Sequence, residues 1–481
     1  MRGWKRLVAW TAAAVTVVAG LSTTPSSAAR PHLPGVRLIA ALTHTEVSRF
    51  GPKDDMLYLS PGVYLASTGG AFEIDAVRRH GRVSLWQVRR TGGHVERLRK
   101  IHPTRRVHLT EGVPDFYVIS VRDADGHRVS RSTVPFCGPV DGEYVRVSDA
   151  GPAKPTFPQQ CGTTLTRGLV LGIDHGWASS LNVLVPFPSK AADGAYTLTI
   201  KINAAYRKQL GLAAAPSSAS VRLTVKTDSG GKCVPLCPAR RSAAQGRRAP
   251  DATMPGTDSL KRADGVPDLR ALPAHDMSTE HHGQHDFLDF GATIWNAGSG
   301  PLVLEGFRRG SRPRMDAVQF VYRHGHPVAS HPVGQLEFDK RKGHNHWHLE
   351  DVARYDLLDA HGHRVLVSGK QSFCLAPTDP IDLTIRGADW QAESSDLESS
   401  CGGEEAIWLR EVLQAGWGDT YYQDRAGQSF NITALPNGHY QVRVTADPHH
   451  RLAETSYRNN VGLVSIVLGG PAGHRTVKVV R

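Results

Sequence analysis

Six short motifs occur twice along this chain, in the same order. SPGVYLASTGGAFEIDAVRR (Ser60–Arg79) is matched by FGATIWNAGSGPLVLEGFRR (Phe290–Arg309), and DADGHR at Asp123 is matched by DAHGHR at Asp359. Phe136-Cys137 pairs with Phe373-Cys374, and each first cysteine has a second one downstream, Cys161 and Cys401. Gly176-Trp177 pairs with Gly416-Trp417, and DGAYTLTIKIN at Asp193 pairs with NGHYQVRVTAD at Asn437. Collinear self-similarity of this kind indicates one folding unit used twice, which narrows the possible folds more than any other feature of the chain. The repeated segments alternate apolar and polar residues, are rich in β-branched side chains and follow Gly turns, so they read as strands. The expected fold is mainly β, two tandem β-sandwich-like domains from an internal duplication. The expected boundaries are 1–29, 30–226, a basic linker at 227–263, and 264–481. Helical periodicity is scarce, and Glu405–Gln414 is the clearest helix candidate.

Arg2, Lys5 and Arg6 precede an apolar run from Leu7 to Leu21 and a small-residue end at Ser27-Ala28-Ala29, the layout of a secretory signal peptide. Export is therefore expected, with no membrane attachment after cleavage. Losing those three cations lowers the net charge of +12 by three. A basic exported protein is matched to acidic envelope or matrix polymers rather than to nucleic acid. Six cysteines outside the cell read as disulfides, Cys137–Cys161, Cys374–Cys401 and Cys233 with Cys237; zinc is the competing reading for the last pair. The 40% hydrophobic content excludes a wholly disordered chain.

The strongest chemical motif is Gly343-His344-Asn345-His346-Trp347-His348. Strand alternation puts all three imidazoles on one face, with neighbours about 6.6 Å apart along the strand and the outer pair about 13 Å apart if it were flat. The backbone must bend for all three to reach one ion, and Gly343 permits a bend. Three neutral imidazoles suit copper or zinc. The competing reading is an exposed strand in a chain that has 24 histidines. His281, His282 and His285, and His324, His326 and His331, are read as ordinary polar strand and turn residues.

From GHNHWHLEDVARYDLLDAHGHRV through GKQSFCL to GWGDTYYQD and LAETSYRNN, the second half resembles the lysyl oxidase family. The resemblance implies a lysyl oxidase-like catalytic fold in 264–481 and a copper-dependent oxidase. Such an enzyme converts primary amines, peptidyl lysine among them, to aldehydes using O2, releasing hydrogen peroxide and ammonia. It implies that His344, His346 and His348 hold Cu2+, that Lys370 and Tyr421 form a lysine tyrosylquinone cofactor, and that Asp419 is the base. It also implies a structural Ca2+ site at Asp268, Glu454, Asn459 and Asn460. Ser456 stands where that site has an acid in the family, and Arg354 stands where animal members commonly carry a histidine.

The first copy lacks these residues. Aligned on His108-Leu109, it has Thr104, Arg106 and His108 against the three histidines, Thr133 against Lys370, and Leu181 against Tyr421. It is expected to be a non-catalytic, degenerate copy. Two other classes compete with the oxidase. One is an extracellular metal- or envelope-binding β protein without catalysis. The other is a metallohydrolase using Glu350.

Overall fold

The alternating segments form strands, and those strands pair into two series of sheets that follow one plan. The computed structural model describes residues 33–49, 55–138, 144–227, 265–309, 313–323, 326–340, 345–369, 372–392, 399–423 and 427–480. The expected signal peptide, the linker and its Cys233 and Cys237, and also His324, Gly343, His344 and Lys370, lie outside the described residues.

In the first half one sheet runs Gly35–Ala40, Val63–Thr68, Trp177–Ser180, Tyr144–Arg146; in the second its counterpart runs Leu269–Ala271, His285–Asn296, Trp417–Tyr421, Asp379–Pro380. A second sheet runs Gly168–Ile173, Phe72–Arg79, Arg82–Thr91, His94–Ile101. Its counterpart runs Trp408–Leu413, Leu302–Arg308, Arg314–Arg323, His326–Asp339 and then adds His346–Leu349. A third sheet runs His44–Arg49, Ser218–Thr227, Gly194–Ile202, Val113–Arg122, Arg128–Phe136; its counterpart runs Thr476–Val480, Val461–Gly469, Gly438–Ala446, Ala353–Asp359, Arg364–Val367. The edge strands of this third sheet differ: His44–Arg49 joins in parallel, whereas Thr476–Val480 joins antiparallel. The strand bearing the histidines is the addition to the second sheet.

The repeat extends to local geometry. Gly176 and Gly416 both take positive φ, 79° and 88°, ahead of a buried tryptophan whose indole donates to a distant carbonyl, Pro152 for Trp177 and Asp389 for Trp417. Positive φ without penalty is what glycine supplies at such a turn. Tyr196 and Tyr440 each donate to the carbonyl four residues earlier, Ala192 and Pro436. The disulfides Cys137–Cys161 and Cys374–Cys401 are both formed, closing 24- and 27-residue spans.

Residues Pro34–Arg481 form one compact unit, and a continuous apolar core includes Leu65, Phe116 and Leu198 from the first half and Phe290, Trp347 and Val442 from the second. The helix expected at Glu405–Gln414 is a strand instead, Trp408–Leu413, hydrogen-bonded to Leu302–Arg308. Sheet pairing and burial of Leu409, Val412 and Leu413 override a helical propensity that was only marginal over so short a run. The one α-helix among the described residues, Ala204–Leu210, is capped by the Asn203 side chain and closed by Gly211 in the left-handed region. No described helix is long and apolar enough to cross a membrane.

Candidate functional site

The histidine strand His346–Leu349 lies against His326–Asp339, with Asp339 opposite His346 and Glu337 opposite His348. Asn345, immediately before it, has φ of 49°, a left-handed conformation that asparagine tolerates, so the backbone turns at the residue between His344 and His346. The His346 and His348 rings lie on one side of the strand with centroids 4.6 Å apart. His348 is buried, and its Nδ1 sits 3.5 Å from the Asp339 carboxylate. Trp347 points the other way, fully buried, with its indole donating to the Gly403 carbonyl at 2.8 Å. That anchor fixes the strand's orientation and therefore the side on which the histidines project.

The next residue, Leu349, exchanges backbone hydrogen bonds with Phe373 at 2.8 and 3.2 Å. The Trp347 amide donates to the Cys401 carbonyl. Both ends of the Cys374–Cys401 span are thereby tied to the histidine strand. On the other side of Phe373 stands Tyr421. Its ring meets Phe373 edge-on, centroids 4.6 Å apart, and its hydroxyl donates to the Cys374 carbonyl at 3.2 Å. The strand Trp417–Tyr421 that carries it pairs with His285–Asn296, placing Asp419 opposite Ile294 and Tyr421 opposite Ala292. Two-residue periodicity puts Asp419 and Tyr421 on the same face. The histidine strand, through Leu349, and Tyr421 thus both contact Phe373-Cys374, and Lys370 lies three residues before Phe373 in the chain.

The electrostatics of this region come from buried acids. Burial pushes the Tyr421 phenol well above its usual value, and the acids Asp419 and Glu411 add to the shift. Tyr355, fully buried, is raised by the same causes, burial first and Asp419 second. Glu411 is a residue that the sequence did not reveal. It is fully buried on the strand Trp408–Leu413, accepts from the Leu375 amide at 3.1 Å, and lies with its carboxylate within 4.8 Å of the Cys374 and Cys401 sulfurs. Burial raises its carboxyl well above the usual carboxylate range, with Asp419 adding to the effect. The two sulfurs are joined to each other, so this group offers no thiolate to a metal. A glutamate on a short amphipathic run carries no signal of its own in a sequence; only packing shows it buried. Glu350 does not stand free as a metallohydrolase base: its carboxylate pairs with Arg314 at 3.2 Å.

A second polar cluster joins residues far apart in sequence. Asp268 accepts from Asn459 Nδ2 and Arg270 at 2.9 Å each, and from the Thr455 hydroxyl at 2.9 Å. Glu454 accepts from Asn460 Nδ2 and from the Leu269 amide, both at 2.7 Å. The carbonyl oxygens Asn459 Oδ1 and Asn460 Oδ1 are buried without a hydrogen-bond partner. Two carboxylates and two unpartnered amide oxygens are the donor set of a hard, oxygen-ligated cation. Ser456 turns inward on its own loop, accepting from the Arg458 amide. Arg354, noted in the sequence, is held elsewhere, beside the buried Asp356 carboxylate.

In the first half, Thr104 and Thr133, the positions that the sequence aligns with His344 and Lys370, gather on one carboxylate. Thr104 and Thr133 both donate to Asp115 at 2.8 Å, and Arg105 reaches the same carboxylate. Against its burial, these bonds hold the Asp115 carboxyl below its usual value. These bonds make a polar knot around Asp115. Of the secondary histidines, His281 bonds Asp286 and His282 bonds Glu280 in an ordinary hairpin.

Among protein families, the model described as Lysyl oxidase matches residues 324–474. That span contains His344, His346, His348, Lys370, Asp419, Tyr421, Glu454, Asn459 and Asn460, and not Asp268. The chain is 33% identical over 141 residues to "Lysyl oxidase homolog 2" of Gallus gallus, covering 27% of this chain and 16% of that protein. It is 33% identical over 142 residues to "Lysyl oxidase homolog 4" of Homo sapiens, covering 27% and 16%. It is 31% identical over 120 residues to "Protein-lysine 6-oxidase" of Gallus gallus, covering 24% and 25%. The chain spans between 16% and 25% of the length of these relatives. The C-terminal region is therefore similar to lysyl oxidases.

Proposed function

We propose that this protein is an exported copper- and quinone-dependent amine oxidase, acting on primary amines and best suited to peptidyl lysine. The observation that carries the reading is the joint at Phe373-Cys374. One side bonds Leu349, next to His348, and the other receives the ring and hydroxyl of Tyr421. The joint ties the strand that carries His346 and His348 and the strand that carries Tyr421 to one short segment of chain, which supports reading them together.

The two described histidines suit such a metal. Two imidazoles side by side on one strand suit one ion, and a carboxylate at the Nδ1 of His348 orients the ring. His344, His346 and His348 would hold copper, and Lys370 and Tyr421 would form the quinone. Together these groups supply the one-electron chemistry with oxygen and the carbonyl that captures the substrate amine. The rest is done by this chain's side chains. Phe373 and the Cys374 carbonyl fix the plane and direction of the Tyr421 ring. The buried phenol holds its proton firmly, so a positive charge beside it is needed before that proton leaves. Lys370 must lose its proton to act as a nucleophile. Asp419 is the base that takes the proton from the substrate carbon bearing the amine. The buried Glu411 carboxyl helps fix the Cys374–Leu375 backbone by accepting from the Leu375 amide. The net reaction consumes an amine, O2 and water and yields an aldehyde, ammonia and hydrogen peroxide. Asp268, Glu454, Asn459 and Asn460 would hold a structural Ca2+ that ties the chain before Leu269 to the loop before Val461.

The reading is tested by peptide mass mapping of copper-loaded protein. It requires a covalent species joining the Lys370 and Tyr421 peptides. Two unmodified peptides in fully loaded protein would mean a metal-binding protein without oxidase chemistry.

A further inference from the structure

The segment Thr378–Gln391 lies inside the disulfide-closed span and contains only a two-residue strand, Asp379–Pro380. One side of it is bonded to the strand of Tyr421. The Thr378 amide donates to the Gly418 carbonyl at 2.9 Å, the Ile381 and Asp382 amides both donate to the Gly416 carbonyl at 2.9 Å, and the Thr420 amide donates to the Thr378 hydroxyl at 2.8 Å. The Trp417 indole reaches the Asp389 carbonyl at 2.6 Å.

The other side is bonded to the N-terminal half. The Arg167 amide donates to the Ile381 carbonyl at 2.6 Å, the Leu383 amide to the Gly168 carbonyl at 2.9 Å, and the Thr166 hydroxyl to the Pro380 carbonyl at 2.6 Å. Gln391 donates its side-chain amide to the Phe157 carbonyl. Phe157 stacks on Trp390 with centroids 5.3 Å apart and planes 18° apart, and the Arg90 guanidinium covers the Trp390 ring at 5.1 Å. The fit at Gly168 is tight: a Cβ there would meet Asp382 Oδ1 at 2.0 Å and the Thr384 hydroxyl at 2.7 Å. Asp382 cannot easily swing away, because it caps the Thr384 amide and hydroxyl.

We infer that the N-terminal half is a positioning module for the C-terminal site, clamping Thr378–Gln391 against Trp417–Tyr421 and so fixing Asp419 and Tyr421. The segment has little regular hydrogen bonding of its own. Without the first half, the Pro380 and Ile381 carbonyls and the Leu383 amide would lose their partners, and an aromatic stack would open to water. Order at Tyr421 then depends on residues more than 200 positions earlier in the chain. This gives a non-catalytic first half a reason to remain attached. The role in catalysis rests on the oxidase reading; the clamp itself does not.

The test uses the full chain carrying Gly168→Ala with Trp390→Ala, and reads amide hydrogen exchange at Leu383 and Thr420, with Val442 as the core control. The clamp requires exchange at both amides to accelerate at least tenfold while Val442 stays protected, and Trp390→Phe to retain wild-type protection. Faster exchange at Leu383 with Thr420 unchanged overturns the inference, as does no change at either. If the double variant loses protection at Val442, Gln391→Leu, which removes only the bond to Phe157, is judged by the same two amides. Yield of the Lys370–Tyr421 cross-link is measured in parallel and must fall with Thr420 protection. A wild-type chain without the cross-link sinks the oxidase reading and leaves the exchange result to decide the clamp.

Discussion

The Tyr421 hydroxyl donates to the Cys374 carbonyl at 3.2 Å, so an aromatic ring on one strand is aimed by the backbone of a disulfide on another segment. Forty-seven residues separate the two in sequence. The relationship makes Tyr421, rather than the more exposed Tyr422, the ring held in a fixed direction.

Tyr421→Phe should abolish amine oxidation while leaving the fold in place. Losing one hydrogen bond of a half-buried hydroxyl costs about 1 kcal/mol. Thermal melting should drop by only a few degrees, and peroxide release with a lysyl peptide should fall to background. Wild-type turnover in this variant would remove Tyr421 from the chemistry.

Asp339→Asn should weaken copper binding without abolishing it. The carboxylate beside His348 Nδ1 orients the ring, and removal of such a partner typically costs 10- to 100-fold in metal affinity. His348→Ala should cost far more. Competition titration with a chelator separates the two, and equal affinities for wild type and Asp339→Asn would show that the contact does not matter to the metal.

Calcium removal should destabilise the wild-type chain. EGTA is expected to lower its melting temperature by several degrees, and to do nothing to Asn460→Leu, which removes one unpartnered oxygen of the cluster. A wild type indifferent to EGTA would leave Asp268, Glu454, Asn459 and Asn460 as a hydrogen-bonded corner.

Acidity at the junction of the halves should depend on Asp75. Burial and the neighbouring Asp382 carboxylate push Asp75 up to about 7, against the pull of Arg97. Arg90 bonds both Asp75 oxygens and also touches Glu73. A carboxyl raised on folding contributes stability that is whole below its unfolded value near 3.8 and is lost as pH rises to about 7. Urea unfolding of wild type should therefore show stability declining across that window by more than it does in Asp75→Asn. Parallel pH profiles for the two proteins would contradict this.

Much of the molecule is legible in the chain because its signals are local. Period-two alternation and Gly turns expose the strands, and repeated motifs such as Gly176-Trp177 and Gly416-Trp417 stand in equivalent places of equivalent sheets. The one false helix, Glu405–Gln414, failed because six of its residues are claimed by a neighbouring strand, a long-range effect that no window of sequence contains. Asp339 and Glu411 were invisible for a related reason: an acid on a strand is ordinary until its neighbours bury it.

The sequence by itself determined the β class, the pairs Cys137–Cys161 and Cys374–Cys401, and which residue types stand at His346, His348, Asp419 and Tyr421, since these depend on side-chain identity and spacing. Only the tertiary structure decided that Leu349, Phe373 and Tyr421 meet at one joint, and that Gly168 and Phe157 hold the segment behind it. Those contacts are made by backbone groups and packed rings brought together across tens to hundreds of residues. Their energy comes from excluding water between surfaces that the unfolded chain never places side by side.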